Sequence, residues 1–428
     1  MRNIKQIIKN EYVWSVLTKV FFVLFSLINQ VLLARYLGAS LKGNVSYSQN
    51  LILMLETTLS FGLYSIYPLY RKRSANYSKT ELDVFVSGTI VLYSFLLIFA
   101  GMCCFCGIIN GIYRGVIIIA VLMAYADVQS ITFLVEKPNK RNGIVLFSAV
   151  IELCIYIFVY IFISPSYFVG LILLFAMEIA RGIVFTILLH PRLIISSNTI
   201  KVLFSNIKLG FFPMIALLLA NLNYKLDIIM LSNCESVVAC DVGIYSIAIS
   251  IAEKTFLIPD SLKDILNSKL AKGADRTEVI RITRYGIWLA FFSAIGIIIC
   301  CPIAIIFFGY EYYGAIPLIR LTVIFTVFMV LFKMLSTYNI TNNKQIINTV
   351  FLTISVIVNF VLNYLMIPIY GAWGAGIATS FGFFSCGTMF AVYFCITEKE
   401  NIYRFFVFDK SDISIIKKLV QRTIKKES

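Results

Sequence analysis

The sequence predicts an all-α integral membrane protein. Its expected form is twelve transmembrane helices in two six-helix bundles, related by a pseudo-two-fold axis along the membrane normal. Three observations carry this. First, the chain is 60% hydrophobic and 14% charged, with mean hydropathy +0.88, against about 45–50% and about 25% in ordinary soluble domains. Second, twelve of its apolar runs reach the roughly 20 residues that cross a bilayer core. Third, two stretches recur at an offset of about two hundred residues, and internal repeats are the first thing to seek in a long chain.

The first echo pairs Asn29–Leu53 (NQVLLARYLGASLKGNVSYSQNLIL) with Asn221–Ser250 (NLNYKLDIIMLSNCESVVACDVGIYSIAIS). Each closes an apolar helix on a polar turn. A glycine (Gly43, Gly243) then opens the next apolar run, and a tyrosine (Tyr47, Tyr245) follows. The second echo pairs Tyr113–Gly115 and Pro138–Asn142 with Tyr312–Gly314 and Thr341–Gln345, each pair flanking a long apolar run. Six spans per half is an even number, so both halves insert in the same orientation, as parallel repeats do, with a substrate site expected between them near the midplane.

Taken in order, the runs are 12–34, 44–66, 84–107, 115–135, 143–163, 168–189, 203–231, 242–262, 285–308, 315–338, 346–367 and 373–397. The eighth is interrupted by Glu253, Lys254, Pro259 and Asp260. The organisation expected is therefore 1–200, an N-terminal six-helix bundle; 201–397, a C-terminal six-helix bundle; and 398–428, a tail. In the tail Ile413, Ile416, Val420 and Ile424 recur at helical spacing against Lys417, Lys418, Arg422, Lys425 and Lys426. That is the pattern of a basic amphipathic helix lying on an anionic leaflet; the plainer alternative is a frayed basic tail that only enforces topology.

A net charge of +15 would suggest nucleic acid in a soluble protein. Here it sorts by loop. Arg71, Lys72, Arg73 and Lys79, then Lys137, Lys140 and Arg141, then Arg192 and Lys201, fall on one side. Lys263, Lys269, Lys272, Arg276, Arg281, Arg284, Lys344 and the tail join them. The other side holds Arg35, Lys42 and Arg114, with Glu235, Asp241 and Glu311. The positive-inside rule then predicts both termini in the cytoplasm of a multi-pass inner-membrane protein, and the nucleic-acid reading falls away. Arg2, Lys5 and Lys9 precede an apolar run too long for a signal-peptide core, and no small-residue cleavage site follows, so no cleavable signal is expected.

Three junctions carry a family resemblance: ARYLGASLKG at Ala34–Gly43, the LDIIML–GIYSIA junction at Leu226–Ala248, and NYLMIPIYGAWGAGIATS at Asn363–Ser380. With them, the first 397 residues resemble the O-antigen-type polysaccharide flippases of the multidrug/oligosaccharidyl-lipid/polysaccharide exporter superfamily. The likeness lies in the pattern of spans and junctions, since no short motif in it is diagnostic alone. The resemblance implies a bacterial inner-membrane transporter that turns an undecaprenyl-pyrophosphate-linked oligosaccharide to the outer leaflet, for O-antigen, lipopolysaccharide or capsule assembly. It implies a cationic central cavity, alternating access and no cofactor. The partners implied are the lipid-linked substrate, the bilayer, a polysaccharide polymerase and a chain-length regulator.

Charges inside apolar spans locate candidate site residues, because one near a helix centre costs about 2.5–3.5 kcal/mol on insertion scales and normally faces a cavity or a partner. The substrate-binding candidates are Lys19, Lys225, Lys254, Arg320 and Lys333, cations suited to a pyrophosphate. Lys254 ranks first because it sits mid-span, followed by Lys19 and Lys225. The coupling or structural carboxylates are Glu56, Asp127, Glu152 and Glu253. Bland alternatives stand beside each. Lys19, Lys225, Arg320 and Lys333 reach an interface by snorkelling. Glu178 and Arg181, three apart, neutralise each other on one helix face. Lys254 forms a structural bridge to Glu56 or Asp127. Lys225 and Asp227 are two apart, so they do not make a simple pair.

Nothing catalytic or metal-binding is expected. His190, the one histidine, ends a span before Pro191; Cys103, Cys104 and Cys106 lack histidine or carboxylate neighbours. Cys234 and Cys240 share a short outer loop in which an oxidising compartment would permit a disulfide. Two rival functions are a drug or cation antiporter of the same superfamily, working through Asp127 or Glu152, and a membrane-embedded polysaccharide polymerase or glycosyltransferase. The second calls for a long outer loop rich in acidic or arginine residues, which this chain lacks.

Overall fold

The computed structural model describes residues 11–73, 78–271, 273, 275–342 and 344–408, and among them every regular element is helical. The α-helices are α1 (Glu11–Leu59), α2 (Leu63–Arg73), α3 (Lys79–Phe105), α4 (Tyr113–Glu136), α5 (Pro138–Phe162), α6 (Tyr167–Leu189) and α7 (Ser197–Ser232). They continue as α8 (Ala239–Ala252), α9 (Leu257–Ala271), α10 (Arg276–Phe308), α11 (Ala315–Thr341), α12 (Gln345–Tyr370) and α13 (Ala372–Glu398). Eleven segments of the described chain are long and apolar enough to cross a membrane, and the first, Phe21–Lys72, is 52 residues long. At 1.5 Å per residue it extends about 78 Å, enough for two crossings of a core about 30 Å thick. Eleven segments thus hold the twelve expected spans.

Three stretches differ from expectation in local form, and one is the second span: expected over 44–66, it stops at Leu59 and restarts as α2 at Leu63. The polar turn expected at 34–43 is no loop: helix runs through it, broken only at Gly38 (φ 66°, ψ 171°). That backbone lies in the region glycine enters freely. The Glu311 carboxylate accepts from Ala39 N at 2.8 Å, capping the restarted helix, and Arg35 Nε donates to Phe307 O at 2.6 Å. The eighth span, expected as one helix over 242–262, is α8 and α9 joined by a 3₁₀ turn at Glu253–Phe256. Pro259 gives the reason. It has no N–H for the Thr255 carbonyl, and its ring presses on that carbonyl in an α-helix. The Thr255 hydroxyl instead donates to Ala252 O (2.8 Å) and Thr326 Oγ1 (2.9 Å).

Contacts divide the chain into two compact units. The first comprises Met1–Ser232 with Val238–Gly243 and Phe307–Glu311. Its core joins Leu33, Val45 and Ile52 of α1 to Ala120 and Met123 of α4 and Leu171 and Phe175 of α6. A second cluster packs Leu63 and Tyr67 of α2 with Val86 of α3, Phe133 of α4 and Phe185 of α6, the last two rings 4.8 Å apart. In a bilayer, helices associate through such packing and close backbone approach. Within this unit a side chain on Gly43 would meet the Ala239 carbonyl, and one on Gly243 the Ala39 carbonyl. α7 packs on α1, α2 and α3. The division into repeated halves at residue 200 concerns sequence likeness rather than packing, and it stands as a proposal.

The second unit comprises Asn233–Val237, Ile244–Ile306 and Tyr312–Ser428. α11 and α12 both pack on α13. Asp275 caps α10 by accepting from Thr277 Oγ1 and Glu278 N; the Thr277 bond first, then the backbone, holds its carboxyl below the usual range. Residues after α13 fold back onto the unit. Arg284 Nε donates to Arg404 O and Trp288 Nε1 to Phe406 O, both at 2.8 Å, and Phe405 is buried. The amphipathic stretch beginning at Asp412 lies outside the described residues.

Candidate functional site

The polar residues of the first unit meet where α1 ends. Ser60 and Phe61 (φ 48°) break the helix before α2 begins. That break leaves Glu56 and Thr57 of α1 facing Tyr64 of α2, Asp127 of α4, and Asn221 and Lys225 of α7, around a cavity of about 220 Å³. Glu56 is 8% exposed and lines the cavity beside Asp127, and its Oε2 has no hydrogen-bond partner among the described residues. Asn221 Nδ2 donates to Thr57 Oγ1 at 2.8 Å, and that hydroxyl donates to Leu53 O, so α7 is tied to α1 beside the carboxyl pair.

Asp127 also lines a second cavity of about 300 Å³, with Ser130, Arg141, Glu178, Arg181 and Phe22 among its walls. Arg181 pairs with Glu178 at 3.3 Å, the i,i+3 arrangement their spacing allows. Arg141 reaches Ser130 Oγ through Nε and Nη2 at 3.2 and 3.0 Å. Glu152 of α5 is half-buried. Asp127 thus stands in the wall between a cavity bearing Lys225 and one bearing two arginines.

Three of the sequence-selected residues, Glu56, Asp127 and Lys225, therefore share one cavity. The others are distributed. Lys254 and Glu253 lie half-buried on the 3₁₀ turn, where three residues per turn splay neighbours about 120° apart. Lys333 pairs with Asp260 at 2.6 Å and lies over the Phe256 ring at 4.4 Å. Arg320 is exposed on α11. Lys19 falls within α1, but its side chain lies outside the described residues. His190 is exposed, and Cys234 and Cys240 are free thiols. Among the described residues no group of three or more His, Cys, Asp or Glu is placed to hold a metal.

A search for charge passes over neutral polar residues. Thr57 and Asn221 are in the cavity wall, and α12 buries Asn348, Ser355, Asn359 and Asn363 along one face. Asn339 Nδ2 donates to Asn348 Oδ1 at 2.8 Å, and Asn363 Nδ2 to Asn359 Oδ1 at 2.9 Å. Their helical spacing was the available signal.

No family model matches the sequence, and no curated protein matches it. Solved structures do. A structure titled lipid II flippase MurJ, inward closed conformation, has TM-score 0.63 at 16% identity, covering 91% of this chain and 88% of that one. An inward-facing multidrug resistance MATE family transporter of the MOP superfamily has TM-score 0.61 at 12% identity, covering 88% and 94%. A MATE structure in complex with MaL6 has TM-score 0.60 at 11% identity, covering 92% and 98%. The fold of this chain is accordingly the one shared by the lipid II flippase and the MATE transporters.

Proposed function

We propose that the chain is a flippase. It moves a polyprenyl-pyrophosphate-linked oligosaccharide from the cytoplasmic to the outer leaflet of a bacterial inner membrane, for assembly of a surface polysaccharide such as O-antigen or capsule. The observation that carries this is Lys225 in one cavity with Glu56 and Asp127. Its ammonium gives an anionic headgroup an opposite charge to meet in that cavity, and it repels a cationic drug. Lys254 and Lys19 serve as further contacts for the pyrophosphate. The Glu56–Asp127 pair supplies an exchangeable proton for coupling, and Glu152 and Glu253 support it. Lys333, engaged by Asp260, and Arg320 rank below these. The chain acts without catalysis of its own, alongside a polymerase and a chain-length regulator.

The carboxyl pair also suits a drug or cation antiporter of the same fold, and that is the second reading. One experiment separates the two. In a strain lacking the gene, Lys225→Ala is expected to lower surface polysaccharide about tenfold at normal protein level, a loss of about 1.4 kcal/mol, and to leave resistance to cationic dyes unchanged. If the wild-type gene instead confers dye resistance that Asp127→Asn abolishes, and surface polysaccharide does not depend on it, the antiporter reading replaces the flippase.

A further inference from the structure

A third cavity of the first unit has chemistry unlike the other two. It is a cleft of about 290 Å³ between α2 and α7, lined by Tyr70, Lys201, Ser205 and Asn206, with Leu69 and Leu209 among its apolar side chains. Its origin is a glycine contact. A side chain on Gly210 would lie 2.6 Å from Phe61 O and 3.0 Å from the Gly62 carbonyl carbon, so α7 meets the start of α2 backbone to backbone. From that contact the helices run on in opposite chain directions, toward Tyr70 on one and Lys201 on the other. The cleft lies along those last turns, at the end of the unit that carries the basic loops.

Its polar lining can donate hydrogen bonds, and no carboxylate belongs to it. Asp127, by contrast, lines both other cavities. Asn206 is 4% exposed, and its Nδ2 has no hydrogen-bond partner among the described residues. A buried amide donor without an acceptor is costly, and a ligand oxygen would remove that cost. Arg71, next to Tyr70, is committed to Glu136, which also accepts from Tyr67. Lys201 therefore supplies the charge of the cleft. Ligand pockets run from about 300 to 1,000 Å³, so this volume suits a single headgroup and excludes an oligosaccharide.

We propose that this cleft binds an anionic phosphate group, with Lys201, Ser205 and the Asn206 amide at its oxygens. In a membrane lipid, the glycerol and first methylenes of the acyl chain would lie against Leu69 and Leu209. The inference concerns a site apart from the Lys225 cavity and does not depend on what the protein transports.

The test is thermal unfolding of the purified full chain in neutral detergent. The probes are dihexanoyl phosphatidylglycerol, dihexanoyl phosphatidylcholine and inorganic phosphate at matched concentration. Dihexanoyl phosphatidylglycerol is expected to raise Tm by about 2 °C or more over the phosphatidylcholine control. Lys201→Glu, an exposed position that should not disturb folding, is expected to remove that difference. Lys208→Glu, exposed on the same helix but not lining the cleft, is expected to keep it. A full effect from inorganic phosphate, also lost in Lys201→Glu, supports the site with a soluble phosphate as its ligand. Phosphatidylglycerol as the sole effective probe supports a lipid headgroup. Equal shifts from the two lipids with none from phosphate, a shift that survives Lys201→Glu, or equal loss in Lys208→Glu would each overturn the proposal.

Discussion

Lys333 shows how one residue changes meaning once its neighbours are known. In the sequence it is a cation in an apolar run, and a pyrophosphate contact is a fair expectation. In the structure its ammonium pairs with Asp260 at 2.6 Å above the Phe256 ring. The aspartate lies beyond the 3₁₀ turn on α9, on a different helix, so no helical spacing pointed to it. A pair that is buried on both sides costs about 3–5 kcal/mol to break. Asp260 keeps 52% of its side-chain exposure, which brings the figure down toward about 1 kcal/mol. Lys333→Asp is therefore expected to lower the amount of folded protein, and the double variant with Asp260→Lys to restore it, measured by membrane level and Tm. Restoration of export without restoration of stability would return Lys333 to the substrate.

At the scale of elements, α7 joins the first unit's features. Its glycine at 210 meets the α1–α2 break, its early turns wall the phosphate cleft, and Asn221 and Lys225 further on wall the carboxylate cavity. Close backbone contact needs small residues at the crossing, as is general for helices in membranes. Gly210→Val would place branched carbon against Phe61 O and the Gly62 backbone, which cannot retreat as a flexible side chain would. Overpacking of this kind costs about 1–3 kcal/mol. A Tm fall of several degrees is expected in detergent, and an unchanged Tm would mean that α2 and α7 do not rely on this contact. The α8–α9 break is the second element-scale device, because it sets Glu253 and Lys254 on a tighter turn than an α-helix makes.

At the scale of the molecule, the spans and their basic loops make a topology that reporter fusions can check. Lys and Arg collect on one side of the expected membrane, and the other side holds few of them; positive loops stay cytoplasmic. Fusions after Lys79, Lys140 and Lys344 are expected to report the cytoplasm, and fusions near Cys234 or Gly371 the outer side. Opposite signals at any two of these would invert the orientation, and with it the direction of transport proposed above. The fold likeness to the lipid II flippase and the MATE transporters holds over about nine-tenths of the chain at 11–16% identity. Shared span architecture, far more than shared residues, is what those structures have in common with it.

The sequence by itself determined the all-helical membrane class of the protein and its roughly twelve apolar spans, and it sets the expectation of which loops share a side. Hydropathy and loop charge are sums over neighbouring residues, so they survive without any knowledge of packing. It also marked Glu253, Lys254, Pro259 and Asp260 as interruptions of the eighth span, but kept that span as one helix, where the N–H missing at Pro259 breaks it. Gly38 was less legible: a kink and a loop both suit a glycine among polar residues, and only the Glu311 cap on Ala39 makes the helix restart at once. The candidate site was legible in part. Glu56, Asp127 and Lys225 were selected one by one because charge is costly in lipid. Their meeting in one cavity, the pairing of Lys333 with Asp260 and the donor-lined cleft at Asn206 were decided by tertiary structure alone. Each joins residues on different helices, and helical spacing ranks neighbours only within one.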